Sequence, residues 1–131
     1  MIATGVEPYE IHYWSIFENE IIKIFKGHTE EITNLEMNPD NDFFLTTSKD
    51  NTCRLWDLGA MHSSAKTIFE LKEAKSPLVC NFNLSGLIFV IGFSASDALS
   101  RIKMFDTKKC EDDCFATLEF ECPEIRMIKF D

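Results

Sequence analysis

Residues 26–57 read KGHTEEITNLEMNPDNDFFLTTSKDNTCRLWD, and this stretch decides the fold. Gly27-His28 opens it, Trp56-Asp57 closes it, and Ser48-Lys49-Asp50 stands between them. Two short apolar segments, 32–37 and 43–47, are split by Asn38-Pro39-Asp40-Asn41. Short runs rich in β-branched and aromatic residues, separated by clusters of turn formers, read as successive strands of an antiparallel sheet.

The order of these landmarks resembles a WD repeat, and the resemblance implies one four-stranded blade of a β-propeller, with strands a, b, c and d. In such a blade a His enters the innermost strand, a Ser and an Asp stand near the b–c turn, and a Trp lies on strand c. The resemblance therefore implies a structural tetrad of His28, Ser48, Asp50 and Trp56. Asp50 accepts a hydrogen bond from one ring nitrogen of His28, and the Ser48 hydroxyl bridges the other nitrogen to the donor-only indole of Trp56. The same Ser, His and Asp invite a nucleophilic reading. No Gly-x-Ser-x-Gly elbow surrounds Ser48, and a network that ends on an indole has no use for a free nucleophile. No catalytic residue is assigned, and the chain is read as a non-enzyme.

The unit repeats outward from this blade. Residues 11–15, 53–57 and 102–106 align as three copies of strand c, each closing on a large aromatic residue followed by Ser or Asp. Strand d then follows at 21–25, 67–71 and 115–120, strand a at 33–37, 79–82 and 126–130, and strand b at 2–5, 43–47 and 87–93. The segment 87–91 is apolar throughout, as in a sheet buried on both sides. A blade takes about 40–45 residues, so the 131-residue chain holds about three. The expected organisation is all-β: one partial propeller spanning 1–131, with blade portions at about 1–25, 32–71 and 78–120, and the first strand of a further blade at 125–131. The first copy has Val6-Glu7-Pro8, and the third Ser76-Pro77, where the tetrad would stand, so apolar packing is expected to hold these two blades. Propellers close with typically 4–8 blades. The open ends imply either a piece of a larger ring or a homodimer in which 126–130 of one copy completes the sheet begun by 2–5 of another.

Composition narrows the function. The net charge is −9, and Lys108-Lys109, the nearest approach to a basic run, is followed at once by Glu111-Asp112-Asp113. Phosphate binding needs a basic face, so direct nucleic-acid binding is not expected; a basic protein surface suits the charge better. No apolar run is long enough to cross a membrane, and the N-terminus lacks the pattern of a signal peptide. Cys110, Cys114 and Cys122 lie close in sequence but lack a fourth ligand and the spacing of a zinc site. No metal or cofactor is expected, Cys53 and Cys80 read as core residues, and the thiols read as free in a reducing compartment.

Beyond the generic repeat, 13–15, 25–28, 35–39 and 52–58, and more tellingly 77–82, 85–89 and 114–118, resemble the family of WD-repeat subunits of COMPASS-type histone lysine methyltransferase complexes. That family also works with cleavage and polyadenylation machinery and with a phosphatase complex acting on RNA polymerase II. The resemblance implies a non-catalytic nuclear scaffold for other protein subunits of a chromatin and transcription complex. Its loops at 26–31, 48–52, 72–77 and 94–101 carry the contacts, with Glu30, Lys49 and Asn51 as candidates. The alternative is a generic WD adaptor in another assembly, such as a ubiquitin ligase or trafficking complex.

Overall fold

The computed structural model describes residues 2–4, 8–75, 77–111 and 113–131, with 2–4 described by their backbone alone. All the regular structure among them is β. The first sheet contains β1 (Ile2–Thr4), β2 (Ile11–Ser15) and β3 (Glu20–Phe25). The second contains β4 (Ile32–Met37), β5 (Phe43–Ser48), β6 (Thr52–Asp57) and β7 (Thr67–Glu70). The third contains β8 (Val79–Phe82), β9 (Ile88–Ser94), β10 (Ser100–Asp106) and β11 (Ala116–Phe120). In each, strands consecutive in sequence pair antiparallel, so every sheet is a simple meander. The sequence-expected strands fall within two residues of these bounds, with one exception treated below. Gly5, Val6, Glu7 and Ser76, which also entered the sequence reading, lie outside the described residues.

The second sheet is buried on both faces, and period-two alternation divides its side chains between two cores. Phe44 and Trp56 face the first sheet and pack with Ile11 and Phe25. Phe44 and Trp56 are directly opposite in the β5–β6 register and stack with ring centroids 5.8 Å apart and planes 9° apart, and the edge of Phe25 meets both. Leu45, Cys53 and Leu55 face the other way, against Cys80, Phe89, Ile91 and Phe93 of the third sheet. Phe69, Phe89 and Phe105 form an aromatic chain across this second interface, with centroids 4.7–5.5 Å apart. Sheets stacked face to face, each sandwiched by its neighbours, are the arrangement of propeller blades. Burial pushes the Cys53 thiol well above its ordinary pKa, with Cys80 beside it, consistent with its place in the core.

The exception is 126–130, expected as a strand and found outside any sheet. An innermost strand makes its ladder with the second strand of its own blade, and among the described residues no strand pairs with 126–130. The segment instead lies over the open face of the third sheet. Ile128 and Ile125 approach Gly92 so closely that a methyl group there would lie 2.5 Å from the tip of Ile128. Its residues also line a cleft of about 350 Å³ with Thr33, Asn34 and Glu36 of β4 and with β8.

Candidate functional site

The site is built where the connection between the first and second sheets crosses the β5–β6 turn. β3 delivers the chain into residues 26–31, which place His28 over the end of β5, with only 6% of its surface exposed. The turn after β5 requires a left-handed residue, and Asn51 supplies it with φ 59°. Asn51 also ties the turn into the sheet: its N–H donates to Ser48 O (3.2 Å), and its carbonyl accepts from Leu71 N–H (3.0 Å).

His28 Nδ1 lies 2.8 Å from Asp50 Oδ2, and Nε2 lies 2.7 Å from Thr46 Oγ1. The Trp56 indole N–H donates to that same Thr46 oxygen at 2.8 Å. Since an indole only donates, Thr46 accepts from it and directs its own hydrogen to Nε2 of His28. The imidazole proton is then on Nδ1, facing the carboxylate. The bridge is therefore Thr46, not Ser48 as the sequence suggested. The reason is strand geometry. Thr46 and Ser48 share a face of β5, but two residues span about 6.6 Å, and Ser48 stands too far along the strand to reach Trp56, which pairs with Phe44. Ser48 stays in the network in another capacity. Its hydroxyl donates to Glu30 O (3.0 Å) and accepts from Asp50 N–H (3.2 Å), fastening the 26–31 connection to the β5–β6 turn.

Asp50 is the electrostatic centre. Burial alone pushes its carboxyl up. Hydrogen bonds from His28, from the Thr52 hydroxyl (2.6 Å) and from Thr29 N–H (3.2 Å) more than reverse this, holding the group well below the usual carboxylate range. Every acceptor position of this carboxylate faces a donor, and His28 and Thr46 have both of their functions satisfied. The network is closed on itself. Its chemistry is that of a brace.

Two substitutions separate the hydroxyls. Thr46→Val keeps the shape of a fully buried side chain but strips His28 Nε2 and the Trp56 N–H of their common partner. It is expected to lower the free energy of unfolding by about 1–3 kcal/mol. Ser48→Ala removes two neutral hydrogen bonds at the partly open edge of the network, to Glu30 O and from Asp50 N–H, and is expected to cost about 1 kcal/mol. Urea titration of both variants checks the order.

Around the brace, Glu30, Lys49 and Asn51 are exposed on the adjoining turns. Lys49 pairs with Glu31 across them. The third blade lacks the His and Trp but is not held by apolar packing alone, as the sequence suggested. Ser94 and Ser100 share a hydrogen bond (2.9 Å), and Ser100 donates to Cys122 O (2.7 Å), tying down the next connection in the corresponding place. Cys110, Cys114 and Cys122 make separate contacts, with Thr67, Thr117 and Glu124 respectively.

Residues 19–57 match the family model described as "WD domain, G-beta repeat". Over 130 residues, 95% of the chain, the sequence is 32% identical to the Set1 complex component swd2 of Schizosaccharomyces pombe. It is 30% identical over 117 residues to the COMPASS component SWD2 of Saccharomyces cerevisiae, and 31% identical over 115 residues to WD repeat-containing protein 82 of Drosophila melanogaster. These alignments cover 89% and 83% of the chain. The chain spans about one third of the length of each relative, 33%, 33% and 32% respectively.

Proposed function

We propose that this chain, built of WD-repeat propeller blades, serves as part of a non-catalytic scaffold subunit of a nuclear histone lysine methyltransferase complex of the COMPASS type. The observation that carries this reading is likeness along nearly the whole chain to two relatives named as components of the Set1 complex and of COMPASS. The geometry supports the scaffold part. The polar cluster is closed on itself, while the turns it braces present exposed charged and amide side chains on a rigid frame. Glu30, Lys49 and Asn51 are the contacts proposed for other protein subunits. Their turns are fixed at both ends, by Ser48 to Glu30 and by Asn51 to Leu71, so binding there incurs little ordering entropy. The partners are proteins rather than nucleic acid, in keeping with the net charge of −9.

The test is affinity purification of the tagged chain from cells of its own organism, with mass spectrometry of what accompanies it. Recovery of methyltransferase-complex subunits is the expected result. Recovery of chaperones alone, or of a ubiquitin-ligase or trafficking assembly, would overturn the proposal.

A further inference from the structure

The connections of a meander alternate between its two ends. The turns β5–β6 and β9–β10 and the links between sheets share the end that carries His28 and Asp50. The connections β2–β3, β4–β5, β6–β7, β8–β9 and β10–β11 start and end at the other. The sheets stack with these ends aligned. At the first end, His28 reaches Asp50 from the neighbouring sheet, and Ala74 bridges Ala95. At the second end, the β8–β9 turn touches the β4–β5 turn, since a methyl group at Gly86 would lie 3.1 Å from Pro39. Thr107, opening the β10–β11 connection, donates through its hydroxyl to Gly86 O (2.8 Å) and through its N–H to Leu87 O (2.9 Å).

Exposed large apolar side chains are divided unequally between the two ends. Among the described residues, the turns and sheet-to-sheet links at the His28 end expose none, with Leu71 and Leu78 buried there; Met127, in the segment that follows β11, is exposed. The opposite end exposes Ile16 and Phe17 in the β2–β3 turn, Leu84 (74%) and Leu87 in the β8–β9 turn, and Phe115 (58%) just before β11. Phe17 is fully exposed at its tip. Single exposed apolar residues are ordinary, but their collection on one side of a layered fold marks a contact surface. The same end is acidic. Glu18, Asp40, Glu111 and Asp113 are exposed there, beside the turn-capping Asp42 and Asp106, against Lys108 and Lys109. The turns are pre-shaped, with Asn19, Asn41 and Gly86 at φ 54°, 58° and 69°.

We infer that the end opposite His28 is a second docking surface, and that its occupant is a basic, leucine-rich segment of a partner protein. The apolar residues take the leucines, and the surplus carboxylates take the lysines or arginines.

The probe is a fluorescein-labelled 18-residue peptide of leucine and lysine with one apolar and one basic face, compared with its leucine–glutamate counterpart. The intact chain is expected to bind the lysine peptide, less tightly as salt rises, and not the glutamate peptide. The double variant Phe17→Ser/Leu84→Ser is expected to bind at least tenfold more weakly with an unchanged unfolding midpoint, since both side chains are exposed. Glu30→Ala/Lys49→Ala, at the other end, is expected to bind as the parent does. Equal affinity of the Phe17/Leu84 variant would overturn the inference. So would self-association that this variant abolishes while the parent ignores the peptide, because the occupant would then be a second copy of the chain.

Discussion

Trp56→Ala is expected to lower the free energy of unfolding by about 3–5 kcal/mol, the range for truncating a fully buried large aromatic residue. The Trp56 ring is inaccessible to solvent, stacked on Phe44 and met edge-on by Phe25. Its loss opens a cavity between the first and second sheets and takes from Thr46 the donor that orients its hydroxyl. The cost therefore has an apolar and a polar part. Trp56→Phe retains most of the packing and removes only the N–H, so it is expected to cost far less, about 1 kcal/mol. Chemical denaturation of the two variants separates the parts. Near-parental stability of Trp56→Ala would show that the blade is not organised around this ring.

Asp50→Ala is expected to cost about 3–5 kcal/mol, as for removal of one partner of a buried, hydrogen-bonded pair. It leaves the His28 N–H, the Thr52 hydroxyl and Thr29 N–H without their acceptor, and the largely buried Arg54 guanidinium, 4.0 Å away, without its counter-charge. The pH dependence has a definite sign. The Asp50 carboxyl titrates lower in the folded chain than in the unfolded one, so the folded state resists its protonation. Its stabilisation is full above the unfolded value of about 3.9 and is lost as pH falls below that value toward the folded one. Glu10, Glu73 and Asp97 are also held low by cationic partners and lose stabilisation in the same direction. The parent's excess stability over Asp50→Asn isolates the Asp50 share. It is expected to stay constant from pH 7 to pH 5 and to shrink below pH 4. A difference that grew on acidification would contradict the assignment of the buried charge to Asp50.

The parts of this fold that were legible in the sequence are those set by local rules. Runs such as 43–47 and 87–93 carry both the β-branched and aromatic content of strands and the two-sided apolarity of a sandwiched sheet. The Asn and Gly turns between them have the side-chain chemistry their dihedral angles require. His28, Asp50 and Trp56 were legible because their order along the chain reflects the order of loops and strands in a blade. Thr46 was not, because Thr46 and Ser48 are both hydroxyl residues on one face of β5, and only the register that sets Phe44 opposite Trp56 distinguishes them. That register can be counted back from Trp56 through the tight turn, so the sequence carries the signal. The 126–130 segment has strand-like composition, but a strand exists only with a partner, which composition does not supply. The Ser94–Ser100 link joins residues separated by an irregular turn, and neither serine belongs to a recognisable pattern. The collection of apolar residues at one end is likewise a property of topology, invisible until the turns are assigned to ends.

In the proposed function, the chain presents protein contacts on turns that a self-satisfied polar network holds still. The most direct measurement compares the parent with the triple variant Glu30→Ala/Lys49→Ala/Asn51→Gly. Each tagged chain is recovered from cells, the methyltransferase-complex subunits proposed as its partners are quantified, and its unfolding midpoint is recorded. Glycine at 51 keeps the left-handed turn while removing the amide. Partner recovery is expected to fall at least tenfold while the midpoint stays within a few degrees of the parent's. Undiminished recovery from a folded variant would contradict it, and would remove the His28 end of the blades from the interface.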